Sequence, residues 1–287
     1  MSVSIIICSR NRSHALASCL RSIDTARLGK TDGEVVLVDS ASNDDTVGVM
    51  QEFASRARCR VQVVEVAEPG LGRARNAGVV ASKGNVLAFT DDDCYLDPKY
   101  YEVVPSVLSN HAVDYCGGKV LLYDANDANI GTRLGDEVER IPPGSFVPAG
   151  LLLGANMVFR RDLLIALGGF DPEIGAGTPF RFEDIDMVAR ASLSGAKGAY
   201  IPELVVHHHH RRKPGVDVQE IQKKNDVARG AYYAKFIVSG HASMYLAEWR
   251  RRRLWLRKPK KTIEMWPELQ RELAGAVAYV KSITTKD

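Results

Sequence analysis

The chain has 287 residues, with 38 Lys and Arg against 35 Asp and Glu, a formal net charge of +3 and 45% hydrophobic residues. Such a composition suits a soluble globular protein of one large domain, or one domain with an appendage, and is too weakly charged to point to nucleic acid. The five cysteines (Cys8, Cys19, Cys59, Cys94 and Cys116) are scattered and form no C-x-x-C pair, so they indicate neither a disulfide framework nor a cysteine zinc site and fit a reducing compartment.

The opening MSVSIIICSRNRS lacks a basic leader and has only a short apolar run. It reads as a buried strand over residues 3–8 rather than a signal peptide. A helix over 14–24 follows, with Leu16, Cys19, Leu20 and Ile23 on one face. Next come a strand over 35–38, a helix over 46–56, a strand over 61–66, a helix over 72–82 and a strand over 86–90. Strands separated by helices of this length imply right-handed βαβ units and a parallel sheet covered on both faces. Ligands of such sheets sit at the carboxyl ends of the strands. Three strands run at once into polar clusters there: Ser9, Arg10 and Asn11; Asp39, Ser40, Ser42, Asn43 and Asp44; and Asp91, Asp92 and Asp93. Solvated turns attract the same residue types, so the pattern alone makes a candidate site.

Residues 115–147 read as strands and an irregular loop. Residues 183–194 form a helix with Ile185, Val188, Ala189 and Leu193 inward, and residues 199–206 form a strand that ends in four histidines. Beyond Pro214 the pattern is helical. The expected division is a catalytic domain over 1–213 and a basic helical extension over 214–287. No stretch reaches the ~18–20 apolar residues that span a bilayer, so a cytoplasmic location is expected.

Three carboxylates at a strand end repel one another unless a cation or strong donors offset them. Mg²⁺ or Mn²⁺ suits that donor set, with diphosphate oxygens in the remaining positions; an exposed acidic turn is the plainer explanation. Imidazole can join carboxylates on Mn²⁺. Strand alternation puts His208 and His210 on one side and His207 and His209 on the other. Glu183, Asp184 and Asp186 open a helix whose dipole alone would favour acids there. The preceding loop with Gly175, Gly177 and Pro179 could instead bring a carboxylate into a cleft as general base.

The turn EPGLGRARNAGVVASKG is Gly-rich but is neither a phosphate loop nor a dinucleotide fingerprint. Arg73 and Arg75 in it offer guanidinium groups to a diphosphate. Late in the chain, YLAEWRRRRLWLRKPKK interleaves Tyr245, Trp249, Leu254 and Trp255 with Arg250 to Arg253, Arg257, Lys258, Lys260 and Lys261. That mixture suits an anionic membrane surface, or a helix packed on the domain with a solvated basic face.

Five segments occur in an order that resembles the family 2 glycosyltransferases over roughly residues 1–210: SIIICSRNR, VVLVDSASNDDT, GLGRARNAGVVASKGNVLAFTDDDC, GANMVFRRDLLIALGGFD and FEDIDMVAR. The resemblance implies a GT-A fold, an α/β nucleotide-diphospho-sugar transferase fold with a mainly parallel sheet flanked by helices. It implies an inverting, metal-dependent transfer of a sugar from a nucleotide-diphosphate sugar, a UDP-sugar first among them, to an acceptor hydroxyl of a glycan or lipid-linked glycan. On the matching positions, Ser9, Arg10, Asn11 and Asp39 would line the nucleotide pocket, with Arg73 and Arg75 near the base or diphosphate. Asp91 and Asp92 would lie at the nucleotide sugar and Asp93 at the metal, joined by Asp91. His208 would be the third metal ligand, with His207 and His210 as alternatives. Asp184, beside Glu183, would be the base. A nucleotide-sugar-binding protein without catalysis, or a nucleotidyltransferase, is the alternative.

Overall fold

The computed structural model describes residues 2–256 and 262–285. Its first half alternates strand and helix: β1 (Val3–Ser9), α1 (Ser13–Arg21), α2 (Thr25–Lys30), β2 (Glu34–Ser40), α3 (Thr46–Arg56), β3 (Arg60–Val66), α4 (Leu71–Ala81) and β4 (Val86–Asp91). The four strands pair in parallel in the order β3-β2-β1-β4. Both faces of β1 are buried because successive side chains alternate: Ile5 and Ile7 pack with Leu16 of α1 and Met50 of α3, while Ile6 packs with Ala74 and Val79 of α4. A near-continuous apolar run is what such a strand requires. Gly78 lets α4 lie close on the sheet, since a Cβ there would come within 2.5 Å of the Ile6 side chain.

The second half holds β5 (Cys94–Leu96), α5 (Tyr100–Val103), α6 (Val107–Asn110), β6 (Tyr115–Leu122), β7 (Glu139–Ile141), β8 (Met157–Arg160), α7 (Arg161–Ala166), α8 (Glu183–Leu193) and β9 (Gly198–His208). Here the sheet becomes mixed. β8 lies antiparallel between β4 and β6, and β9 runs parallel to β6 but antiparallel to β5 and β7. The parallel half is as the alternation of elements predicted. The antiparallel half depends on strands of three or four residues, too short for a periodicity to show.

The C-terminal part forms α9 (Val216–Phe236), a kink over Ile237–His241 where Ser239 and Gly240 leave the helical conformation, α10 (Ala242–Leu256) and α11 (Thr262–Thr284). These helices share the core of the sheet-bearing part. Tyr232, Tyr233, Phe236, Tyr245 and Trp249 are buried in the cluster that holds Ile185 and Phe159. α9 and α11 cross with almost no gap: a Cβ at Gly230 would sit 1.7 Å from the Glu272 carbonyl oxygen, and one at Gly275 would sit 1.9 Å from that of Val227. Tyr245 and Trp249, which suited either a lipid surface or a helix packed on the domain, are core residues, and Trp249 Nε1 donates to Glu272 at 2.7 Å. The side chains of Arg253, Leu254, Trp255, Arg257, Lys258, Lys260 and Lys261 lie outside the described residues. No described helix is long and apolar enough to cross a membrane.

Candidate active site

A cleft of about 500 Å³ opens at the carboxyl ends of β1 and β4, and Asp91, Asp92, Asp93, Asp184 and His208 all line it. The loop after β1 forms one wall. Ser9 Oγ donates to Asp92 at 2.6 Å, and Arg12 reaches both Asp92 (3.2 Å) and Asp93 (2.6 Å). Arg10 lines the cleft, but Arg12, two residues on, is the side chain that offsets Asp92 and Asp93. Asn11 instead joins the loops after β1 and β2: its N–H donates to Ser42 Oγ, and its Oδ1 accepts from the Asn43 N–H. Asp39 stands opposite Ser9 in the β1–β2 register. One of its oxygens accepts from the Ser42 N–H; the other is buried with no hydrogen-bond partner among the described residues.

Asp91 faces the cleft with about a third of its side chain exposed (34%), whereas Asp92 and Asp93 are buried. Burial pushes Asp92 up to about 6 against the pull of Arg12 and Ser9. Burial would raise Asp93 as well, but His208 and Arg12 outweigh it and hold that carboxyl well below the usual range. His208 arrives through backbone pairing. β9 runs antiparallel to β5 with Cys94 opposite His208, and the His209 N–H donates to the Asp93 carbonyl at 2.9 Å. His208 Nε2 then lies 3.2 Å from Asp93 Oδ1. Burial works against the charged imidazole, yet contact with Asp93 leaves it raised overall.

These residues fit a hard divalent cation. Ligand atoms of Asp91, Asp93, Cys94 and His208 all lie within 4.8 Å of one another, and Asp93 Oδ1 is buried without an aligned hydrogen bond. Two carboxylates and an imidazole suit Mn²⁺ or Mg²⁺. Burial pushes the Cys94 thiol far up, and a soft sulfur suits a hard cation less well than carboxylate oxygen does. The other candidate histidines do not join it. His207 sits 3.8 Å from Asp97, across the strand. His210 uses both ring nitrogens on the backbone: Nε2 donates to the Ala128 carbonyl at 3.0 Å, and Nδ1 accepts from the Arg212 N–H at 3.0 Å.

Arg75 and Arg73 part company. Two positions along a helix are about 200° apart around it, so one turns in and the other out. Arg75 is buried below the cleft, bonded to Glu183 at 2.9 Å and to the Gly154 carbonyl at 3.3 Å, with Asp91 at 3.5 Å. Arg73 lies outside the cleft and pairs with Glu68 and Glu173, which corrects its expected place at a diphosphate.

The turn into α8 runs through Phe182 at φ +83°, which sets Glu183 inward and Asp184 into the cleft. Asp184 is oriented by two backbone donors, the N–H groups of Gly154 and Ile185, both at 2.8 Å. Gly154 leaves room for both groups: a Cβ there would stand 2.9 Å from Arg75 Nη2 and 3.0 Å from Asp184 Oδ2, so these side chains would have to shift. Burial pushes Glu183 up to about 7, with Arg75 pulling the other way. Asp186, read in sequence as a capping acid, is buried and clamped by Arg190 (2.9 Å) and by Lys235 of α9 (2.5 Å). Arg181 and Arg212 also line the cleft and were not singled out, since neither falls in a motif.

Residues 4–168 match the sequence pattern of glycosyl transferase family 2. The chain is 25% identical over 206 residues to the glycosyltransferase AglE of Haloferax volcanii, covering 72% of this chain and 66% of the relative. It is 26% identical over 211 residues to the O-antigen chain rhamnosyltransferase WbaN of Salmonella anatum, covering 70% and 62%. Among solved structures, the mannosyltransferase PcManGT of Pyrobaculum calidifontis, in complex with GDP-Man and Mn²⁺, superposes with a TM-score of 0.66 at 18% identity, covering 97% of this chain and 86% of that one. TarS 1–349 of S. aureus with UDP-GlcNAc gives 0.60 at 18% identity, covering 79% and 66%. The chain thus shares their fold, and it spans about two thirds or less of the length of these curated relatives.

Proposed function

The chain belongs to glycosyl transferase family 2, and on that premise we propose that it is an inverting, metal-dependent glycosyltransferase acting in glycan assembly. The observation that carries this reading is the convergence of Asp91, Asp93 and His208 with Asp184 on one cleft, from three segments spread over residues 91–208. The donor is a nucleoside diphosphate sugar, with a uridine diphosphate sugar as the first to test; the UDP-GlcNAc and GDP-Man bound by the two structural relatives support that class. Asp39, with a buried oxygen lacking a partner, and Ser9 face the nucleoside, and the catalytic unit of 1–213 is completed by the helices of 214–287.

In the reaction the acceptor oxygen forms a bond to the anomeric carbon as the bond from that carbon to the diphosphate breaks, which inverts the configuration. The electron pair leaves with the diphosphate, and Asp184 takes the proton of the acceptor hydroxyl. Its two backbone hydrogen bonds fix the carboxylate for that task. Arg75 and Glu183 hold the floor beneath Asp91 and Asp184. Asp91, Asp93 and His208 would hold a divalent cation, which would supply neutralisation of the charge that develops on the leaving group. The Mn²⁺ bound by PcManGT supports this cofactor class.

Product analysis tests the reading. Release of free nucleoside diphosphate from a donor sugar supports transfer, whereas pyrophosphate would point to a nucleotidyltransferase. We place the enzyme in the cytoplasm, at an anionic membrane face, a reading supported by five free cysteines and by exposed Arg250 and Arg251. Liposome flotation with and without anionic lipid checks the membrane part; equal flotation removes it.

A further inference from the structure

A second chamber of about 270 Å³ opens between residues 130–131 and the first turns of α9, and it merges with the cleft where His208 and Arg212 line both. Its walls are unlike those of the cleft. Ile130, Val218 and Ile221 are apolar, Gln222 and Asn225 offer amides, and no carboxylate lines it among the described residues. Arg212 is the one guanidinium there, and it has no carboxylate at ion-pair distance among those residues; nor has Arg181, which lines the cleft. Arg12, by contrast, is offset by Asp92 and Asp93.

Burial, and the repulsion of Arg181 and Arg12, weaken the hold of Arg212 on its proton, though Asp93 pulls the other way. A half-buried cation facing like charges is unfavourable until an anion joins it. A guanidinium fork matches phosphate oxygens in particular. A neutral glycan would leave Arg212 unpaired and would meet no carboxylate among the described residues of this chamber.

We propose that the chamber seats an acceptor in which a phosphoryl group, held by Arg212, is joined to an alkyl chain lying against Val218 and Ile221. The inference rests on the glycosyltransferase reading and adds the chemical class of its acceptor. The diphosphate of the donor offers the same anionic chemistry, so the test separates the two sources by competition.

The full chain with Mn²⁺ is saturated with UDP, or with GDP if UDP does not bind, and titrated calorimetrically with geranyl phosphate, geraniol and inorganic phosphate. Geranyl phosphate binds the nucleotide-saturated protein, and the other two bind at least about tenfold more weakly, as expected when either half of the contact is missing. Val218→Asn and Ile221→Asn, at positions that line the chamber and not the cleft, each weaken geranyl phosphate by about tenfold or more and leave nucleotide affinity unchanged. Displacement of geranyl phosphate by nucleotide would assign the seat to the donor and overturn the inference. So would equal binding of geraniol, or an Ile221→Asn protein that binds as well as the wild type. Nucleotide binding without geranyl phosphate binding overturns this inference alone, whereas a chain that binds neither UDP nor GDP overturns the proposed function beneath it.

Discussion

Arg75 and Glu183 form a 2.9 Å ion pair below the cleft, with 3% and 8% of their side chains exposed, and the pair joins helix α4 to the first turn of α8. Because the same guanidinium also reaches Asp91 and the Gly154 carbonyl, one buried cation ties the acidic triplet to the proposed base. Removing one partner of a buried pair typically costs ~3–5 kcal/mol, because the other charge is left uncompensated. Arg75→Met should therefore lower stability by about that much near pH 8. The loss should be smaller near pH 5.5, where Glu183 can take a proton instead. Urea denaturation at the two pH values measures this; an equal loss at both would remove the pair from the account.

Glu183 also gives the wild-type protein a pH signature. Its pKa rises on folding from the model-peptide value of 4.5 to about 7. Between those values the folded state binds more protons than the unfolded state, so stability falls with rising pH. The favourable contribution is complete below 4.5 and lost as pH passes through about 7. Glu183→Gln removes this slope, so the wild type should lose stability relative to the variant between pH 4.5 and 7. Parallel stability curves for the two proteins would contradict the assignment.

Asp184→Asn keeps the size of the side chain and an oxygen for one backbone donor but cannot accept a proton. Turnover should fall by ~10²–10⁴ with nucleotide affinity unchanged. Single-turnover kinetics beside nucleotide titration separates the two effects. Near-normal turnover would move the base elsewhere.

The burial of Tyr232, Tyr233 and Phe236 in one core with Phe159 and Ile185 predicts that the C-terminal helices melt with the rest of the fold. Gly230→Ala forces α9 and α11 apart and should cost ~1–3 kcal/mol, the usual penalty of overpacking. Calorimetry should show one transition moving down as a whole. A separate low-temperature transition would make residues 214–287 an independent unit.

Much of this was legible in the sequence because one side chain decides each point. Ile5, Ile6 and Ile7 announce a strand buried on both faces, and Leu16 with Leu20 announces the helix that covers one of them. The acidic triplet and the E-D pair were visible as motifs. What stayed hidden depends on distant partners. His208 is distinguished from His210 only by Cys94 across the ladder and by the Ala128 carbonyl that occupies His210. Arg73 and Arg75 look alike in the chain, and helix rotation alone sends one to the surface and the other beneath the cleft. Tyr245 and Trp249 carry the same residue types in a core as at a lipid surface, so their neighbours settle the matter.

Manganese binding followed by paramagnetic resonance, with UDP present, tests the central claim most directly. The wild-type chain should bind one Mn²⁺ whose spectrum carries a coupling to an imidazole nitrogen. His208→Ala should lose that coupling and most of the affinity, and His210→Ala should keep both. An unchanged spectrum in His208→Ala, or a Mn²⁺ that binds equally well to Asp93→Ala, would contradict the account.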